Sequence, residues 1–239
     1  MGLLRKQQGK HKKLVIRQAE VRDVNFLLET IVTAEKSGTE KLSYCGVFSL
    51  NESAVVEVLR RIILEDFAGQ ELCLSGFLIV EIDGKYAAAT CSWVEASGGL
   101  SSDLIKANLL RHHMPLESMA SVLKWAKKLT GLIIPREPGA IQLESVYVRS
   151  EYRGQGALEA LFSAHIEAHK TKNRSPRKIQ IVTSGGNSRA NAAYKKMGFD
   201  IVYKRSIDSL EIQKILPSCE KFLLEKNLKR GSVPSTNID

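Results

Sequence analysis

Hydrophobic residues recur along this chain with two periods, and each change of period marks an element. Leu14 to Arg17 reads as a short strand. After Glu20, Val24, Leu27, Leu28 and Ile31 fall at helical spacing, and Ser37-Gly38 ends the run. A second helical run carries Val55, Leu59, Ile62 and Ile63 on one face and stops near Gly69; Ser49 and Glu52 are predicted to form its capping box. Between these helices, around Tyr44 and Cys45, no periodicity emerges. From Cys73 to Glu95 the pattern turns to strand, and Asp83-Gly84 between two apolar runs predicts a two-residue hairpin.

Ser97-Gly98-Gly99 opens a segment of different character. Helical runs appear at Asp103–Arg111 and, after Pro115, at Leu116–Leu129, with Gly131 as the stop and Pro135, Pro138 and Gly139 closing the segment. Residues 97–140 lie near the lower limit of about 40 residues for a core that folds unaided, so they read as a helical insertion between two strands of one sheet. The next stretch, Ile141 to Leu161, begins as a strand and ends as a helix. Ile141 and Leu143 share one face, but the following apolar pair is Val146 and Val148, so the alternation slips at Glu144–Ser145. Strand side chains have period 2, and keeping both pairs on the core side requires an extra residue, a β-bulge.

The turn that follows, Arg153-Gly154-Gln155-Gly156-Ala157, pairs a cation with two residues lacking Cβ. It leads into a helix with Leu158, Leu161, Phe162 and Ile166 on one face. Glycines that allow close backbone approach, beside the positive end of a helix dipole, suit a phosphate or pyrophosphate. Lys178 to Thr183 is the next predicted strand. Ser188 to Met197 is a short helix with Asn187 as N-cap and Gly198 as C′ residue, and strands are predicted at 199–205 and 222–224.

Composition changes this picture in few places. A content of 44% hydrophobic and 26% charged residues is that of a soluble globular protein. No apolar run approaches the roughly 20 residues that span a bilayer, and no membrane or signal segment is read. Cys45, Cys73, Cys91 and Cys219 are widely spaced and suggest neither a zinc site nor a disulfide framework, which fits a reducing cytoplasm. His112 and His113 are adjacent and point apart on a helix. His165 and His169 are four apart but lack a third ligand, so no metal site is expected. Of the formal charge of +9, residues 1–13 hold five cations and no acid. A solvated basic tail explains this more simply than an arm touching RNA or the ribosome.

Three pieces in this order resemble the GCN5-related N-acetyltransferases. Val146-Tyr147-Val148 followed by Arg153-Gly154-Gln155-Gly156-Ala157 looks like that family's coenzyme A loop, and Asn187, Ala190, Tyr194, Gly198 and Phe199 are spaced like the helix that closes the cofactor site. Ile16-Arg17-Gln18-Ala19 with Asp23 is similar to the family's opening. The loop departs from the pattern at Leu158, where glycine or alanine is usual, and Glu159 adds a carboxylate in the first helical turn. The resemblance implies an α/β fold (α+β mixed sheet). Its central sheet would be mixed but mostly antiparallel, splayed at the bulge, with helices on both faces. Residues 14–228 would form a single acetyltransferase domain between the basic tail and a disordered tail at 229–239.

The activity implied is direct transfer of an acetyl group from acetyl-CoA to an amine. The pantetheine would run along Val146, Tyr147 and Val148. The pyrophosphate would rest on the N–H groups of Gly154, Gln155, Gly156, Ala157 and Leu158, with Arg153 adding charge and Asn187 beside it. The Val146 N–H, freed by the bulge, is the expected oxyanion donor. Glu144 is the implied general base, with Glu95 as rival, and Tyr194 the implied acid that protonates the departing thiolate. The partner expected is a small-molecule or peptide amine, not nucleic acid or a membrane; a homodimer is compatible with the sequence. Two other readings stay open at this stage. One is a non-catalytic acyl-CoA-binding regulatory module, the other an RNA- or ribosome-associated protein working through its basic N-terminus.

Overall fold

The alternating runs become seven strands of one sheet in the computed structural model, which describes residues 13–170 and 176–228. The strands are β1 (Leu14–Gln18), β2 (Phe77–Ile82), β3 (Lys85–Val94), β4 (Ile141–Val148), β5 (Lys178–Ser184), β6 (Asp200–Ser206) and β7 (Glu220–Asn227). Their spatial order is β1-β2-β3-β4-β5-β7-β6, and every neighbouring pair is antiparallel except β4–β5. The β2–β3 hairpin turns at Asp83-Gly84, both at positive φ (52° and 74°), as the dipeptide predicts.

Eight helices of more than one turn accompany the sheet among the described residues: α1 (Val24–Lys36), α2 (Ser43–Phe48), α3 (Glu52–Glu65), α4 (Ser102–His113), α5 (Ser118–Leu129), α6 (Ala157–Ala168), α7 (Ser188–Lys196) and α8 (Leu210–Ile215). The faces read from the sequence are the buried ones. Leu27 of α1 and Leu59, Ile62 and Ile63 of α3 are fully buried over one side of the sheet, together with Phe77 and Ile79. Leu161 and Phe162 of α6 and Tyr194 of α7 cover the other side, against Ile141, Leu143, Ile179 and Ile181. Each such Leu or Ile contributes about 1.5–3 kcal/mol of burial, enough to fix which face of a helix turns inward. Arg17 and Asp23 of the opening motif meet at 2.7 Å, with Glu81 and the Tyr86 hydroxyl also 2.7 Å from the pair. That motif holds the edge of the sheet together.

Several expectations need correction. The N-cap of α3 is Asn51, whose Oδ1 accepts from the Ala54 N–H at 2.9 Å; Ser49 instead closes α2 in the left-handed region (φ 55°). The stretch without periodicity contains α2, and the segment between β6 and β7 contains α8. Both are six residues long, too short to display a helical repeat. Together with α5 they form a third apolar cluster. Trp125, Leu132, Ile212 and Leu216 are buried there, with Val47, Leu129 and Ile215 packed against them. The helices of the 97–140 segment thus pack on α2, α3 and α8. The basic tail, apart from Lys13, and the C-terminal tail lie outside the described residues.

Candidate active site

β4 breaks where its alternation slips. Cys91 pairs with Glu144 and Ala89 with Tyr147, so Thr90 alone faces both Ser145 and Val146. Ser145 takes a left-handed φ of 52°, a conformation that costs a residue with a Cβ on the order of 1 kcal/mol or more. Thr90 holds the distortion: its Oγ1 donates to the Glu144 carbonyl at 2.9 Å, and its own carbonyl is taken by His165 Nε2 at 3.1 Å. A carbonyl only accepts, so that ring nitrogen carries the proton. His165 Nδ1 therefore accepts the Ser92 hydroxyl (2.6 Å), and Ser92 Oγ accepts from His169 Nε2 (2.8 Å). The two histidines buttress the bulge from behind. Burial lowers both, His165 to about 4, so they stay neutral at pH 7. No cluster of metal-ligating side chains occurs among the described residues.

Beyond the bulge β4 leaves β5. The two pair only over Ile141–Leu143 and Ile179–Ile181, where Gln142 Nε2 donates to Gln180 Oε1 at 2.8 Å. Clamped at one end and parted at the other, they leave a cleft of about 830 Å³. Val146, Tyr147 and Val148 line one wall, with Val182, Thr183 and Ser184 opposite. Gly154 and Gly156 form the floor of its outer end at φ 70° and 79°, and a Cβ on either would meet nothing within 4 Å. Their lack of side chain therefore serves backbone conformation and open space, with the first N–H groups of α6 facing outward. Arg153, Arg189 and Lys196 add positive charge there. Arg153 Nε also donates to the Val148 carbonyl at 3.2 Å, tying the turn to the strand. Asn187 caps α7 through the Ala190 N–H (3.2 Å) and lines the cleft, as do Ala157, Leu158 and the exposed Glu159.

The inner end is built from ionic side chains. Arg136, 9% exposed, reaches Glu144 at 2.8 Å, Asp103 at 2.6 Å and Glu71 at 3.7 Å, and lies over the Trp93 ring at 5.6 Å. Lys106 pairs with Glu71 at 2.9 Å. The Glu144 side chain keeps 19% of its surface open and lines the cleft. Burial drives its carboxyl up to about 7; Arg136 pulls it down and Glu71 pushes it further up. Glu71 is also raised by burial, but Lys106 and Arg136 outweigh this and hold its carboxyl below the usual range. Tyr194, on the same cleft, stacks on Phe162 at 6.1 Å. Burial, and secondarily the Glu144 charge, push its phenol above the ordinary value, so it keeps its proton at neutral pH.

Glu95 is placed elsewhere. Its buried carboxylate accepts from Trp93 Nε1 (2.9 Å) and from the N–H (2.9 Å) and hydroxyl (2.7 Å) of Ser102, fastening the root of the insertion. It does not line the cleft. Tyr147 turns its hydroxyl to Glu29 (3.2 Å) on the α1 side, so its contribution to the cleft wall is chiefly main chain. Sequence reasoning missed Thr90, Arg136, Glu71 and Lys106. Arg136 sits two residues before Pro138 in a segment with no periodic signal, and nothing local marks it as a partner of Glu144. It also missed Asn191, which accepts from Thr183 Oγ1 (2.6 Å) and donates to the Ser184 carbonyl (3.1 Å), locking α7 to the end of β5.

A mixed sheet parted at a bulge, with a glycine turn and helix N-terminus at the mouth of the gap, defines an acyl-transfer scaffold. The model of the acetyltransferase (GNAT) family matches residues 47–199, and the chain belongs to that family of acyltransferases. Comparison with curated protein sequences gives no match. Among solved structures, an N-acetyltransferase from Staphylococcus aureus is similar with a TM-score of 0.58 at 17% identity, covering 89% of this chain and 100% of that one. A polyamine N-acetyltransferase from Drosophila melanogaster, which forms N-acetylagmatine, gives 0.55 at 12% identity over 90% and 100% of the two chains. An agmatine N-acetyltransferase variant gives 0.53 at 12% over 90% and 99%. At such identities the likeness is one of fold. No helix among the described residues is long and apolar enough to cross a membrane.

Proposed function

We propose that this acetyltransferase uses acetyl-CoA and transfers its acetyl group directly to a primary amine. The reading rests on the break between β4 and β5, which sets a carboxylate raised to about 7 inside a cleft whose mouth is a glycine turn. That mouth fits a pyrophosphate: outward N–H groups, open space at Gly154 and Gly156, and nearby Arg153, Arg189 and Lys196. Bound acetyl-CoA supplies an activated acetyl group.

The chain's own residues do the rest. An ammonium cannot attack until it loses a proton, and Glu144 takes that proton on its carboxylate, directly or through one water. A carboxyl at about 7 is half ionised at neutral pH, the balance a general base needs. Tyr194 holds a proton on its hydroxyl for the departing sulfur. The bulge turns the main chain at Ser145 and Val146 toward the cleft, where an N–H can meet developing negative charge. Titration calorimetry with acetyl-CoA and with CoA tests the donor side: one-to-one, low-micromolar binding is expected, and no heat with either would remove the proposal.

A further inference from the structure

We infer that Thr90, a side chain that never reaches the cleft, is a positioning residue for the acetyl transfer, and that His165 acts through it. This deepens the amine-acetylation reading and rests on it. Thr90 is fully buried on β3, and neither it nor Ser92 nor His165 lines the cleft. Its hydroxyl donates to the Glu144 carbonyl at 2.9 Å; the other carbonyl in reach, that of Cys91, lies at 3.5 Å. The short bond fixes more than a carbonyl. The Glu144–Ser145 peptide is trans, and a trans peptide is planar with its N–H opposed to its C=O. Drawing the Glu144 carbonyl to β3 therefore turns the Ser145 N–H away from β3, to the side where β5 has parted and the cleft lies. The same peptide unit begins at the Cα that carries the Glu144 carboxylate. One hydroxyl thus aims both a main-chain donor and the general base.

The grip continues into the helix that starts at the glycine turn. The Thr90 carbonyl accepts from His165 Nε2 at 3.1 Å, and Ser92 holds that ring by its other nitrogen at 2.6 Å. His165 stands eight residues along α6 from Ala157, about 12 Å at the rise of an α-helix. The helix is therefore a strut between the turn that seats the pyrophosphate in the proposed reaction and the bulge that meets the thioester. The chain of bonds from His165 through Thr90 to Glu144 sets how far one lies from the other. Reacting groups misplaced by about 1 Å lose on the order of 10²-fold in rate. This chain of bonds accordingly governs kcat and leaves donor affinity to the turn.

The test measures kcat by CoA release and acetyl-CoA affinity by calorimetry on the full chain. The acceptor is whichever of agmatine, spermidine, phenethylamine and a short peptide with a free N-terminus the parent protein turns over fastest. Thr90→Val keeps the shape and removes the hydroxyl. It is expected to lower kcat by about 10- to 100-fold with acetyl-CoA affinity unchanged, and Thr90→Ser to recover most of that loss. His165→Gln keeps an N–H for the Thr90 carbonyl and His165→Leu does not, so this pair carries the same comparison if Thr90→Val does not fold. Melting temperatures identify the folded variants. Parental kcat in folded Thr90→Val or His165→Leu, a loss that Thr90→Ser does not recover, or an equal loss of acetyl-CoA affinity would overturn the inference and leave amine acetylation standing. A parent protein that releases no CoA with any of the four acceptors would overturn both.

Discussion

The two ends of the cleft are made of different material. The outer end is main chain: the edge of β4 over Val146–Val148, two glycines at positive φ, and the N-terminus of α6. The inner end is side chain: Glu71 and Arg136 from loops, Lys106 from α4 and Glu144 from β4 are held by mutual charge. A site made of backbone needs particular residues at adjacent positions, so it leaves a compact trace in the sequence. One made of distant charges leaves none. The difference also sets how each end fails. Damage to the turn should remove binding and spare chemistry, while damage to the ionic quartet should do the reverse.

The largest effect is expected at the inner end. Glu144→Gln should lower kcat by about 10²–10⁴, the usual worth of a general base, with the affinity for acetyl-CoA measured by calorimetry little changed. An equal loss of binding would erase the distinction between the two ends. At the outer end, Gly156→Leu places a side chain at φ 79° in the open floor. It should weaken acetyl-CoA binding by roughly 10- to 100-fold, about 1.4–2.7 kcal/mol, without lowering the melting temperature by more than a few degrees.

A subtler test uses pH. With Glu144 as base, kcat/KM should rise through an apparent pKa near 7 and level off above it. Arg136 pulls that carboxyl down and Glu71 pushes it up. Arg136→Gln should therefore move the limb to higher pH and Glu71→Gln to lower pH, each by on the order of one pH unit. Shifts in the same direction would mean that the limb belongs to another group.

The smallest effect concerns the support behind the bulge. His165 titrates near 4 in the folded chain, below its ordinary 6.5, so the unfolded chain binds more protons between those values. Stability is full above about pH 6.5 and declines as pH falls toward 4. Urea unfolding at pH 5 should show about 2 kcal/mol less stability than at pH 7, and His165→Leu should flatten that slope. A stability unchanged between the two pH values in the parent protein would refute a neutral, buried His165.

Much of the frame was legible because it follows from local rules. The slip from Leu143 to Val146 marked the bulge, Asp83-Gly84 the hairpin, and Asn187 with Gly198 the ends of α7. Local rules misled where two candidates competed. Asn51 outdid Ser49 as a cap because α2 had already claimed Ser49 for its own C-terminus. Glu144 stands on β4 and Glu95 directly after β3, and no local pattern separates a carboxylate that fastens Ser102 from one that faces a cleft.

The sequence by itself determined the order of elements, the place where the central strand breaks and the turn that follows it. Each depends on residues within a few positions of one another, through periodicity, φ preference and capping. Tertiary structure alone decided that Arg136 and Lys106, from the 97–140 segment, reach Glu144 and Glu71, that Thr90 and His165 hold the bulge, and that α2, α4 and the end of α5 line the same cleft. Coulombic and apolar contacts between segments far apart in the chain carry no fixed spacing, so only folding brings them into reach.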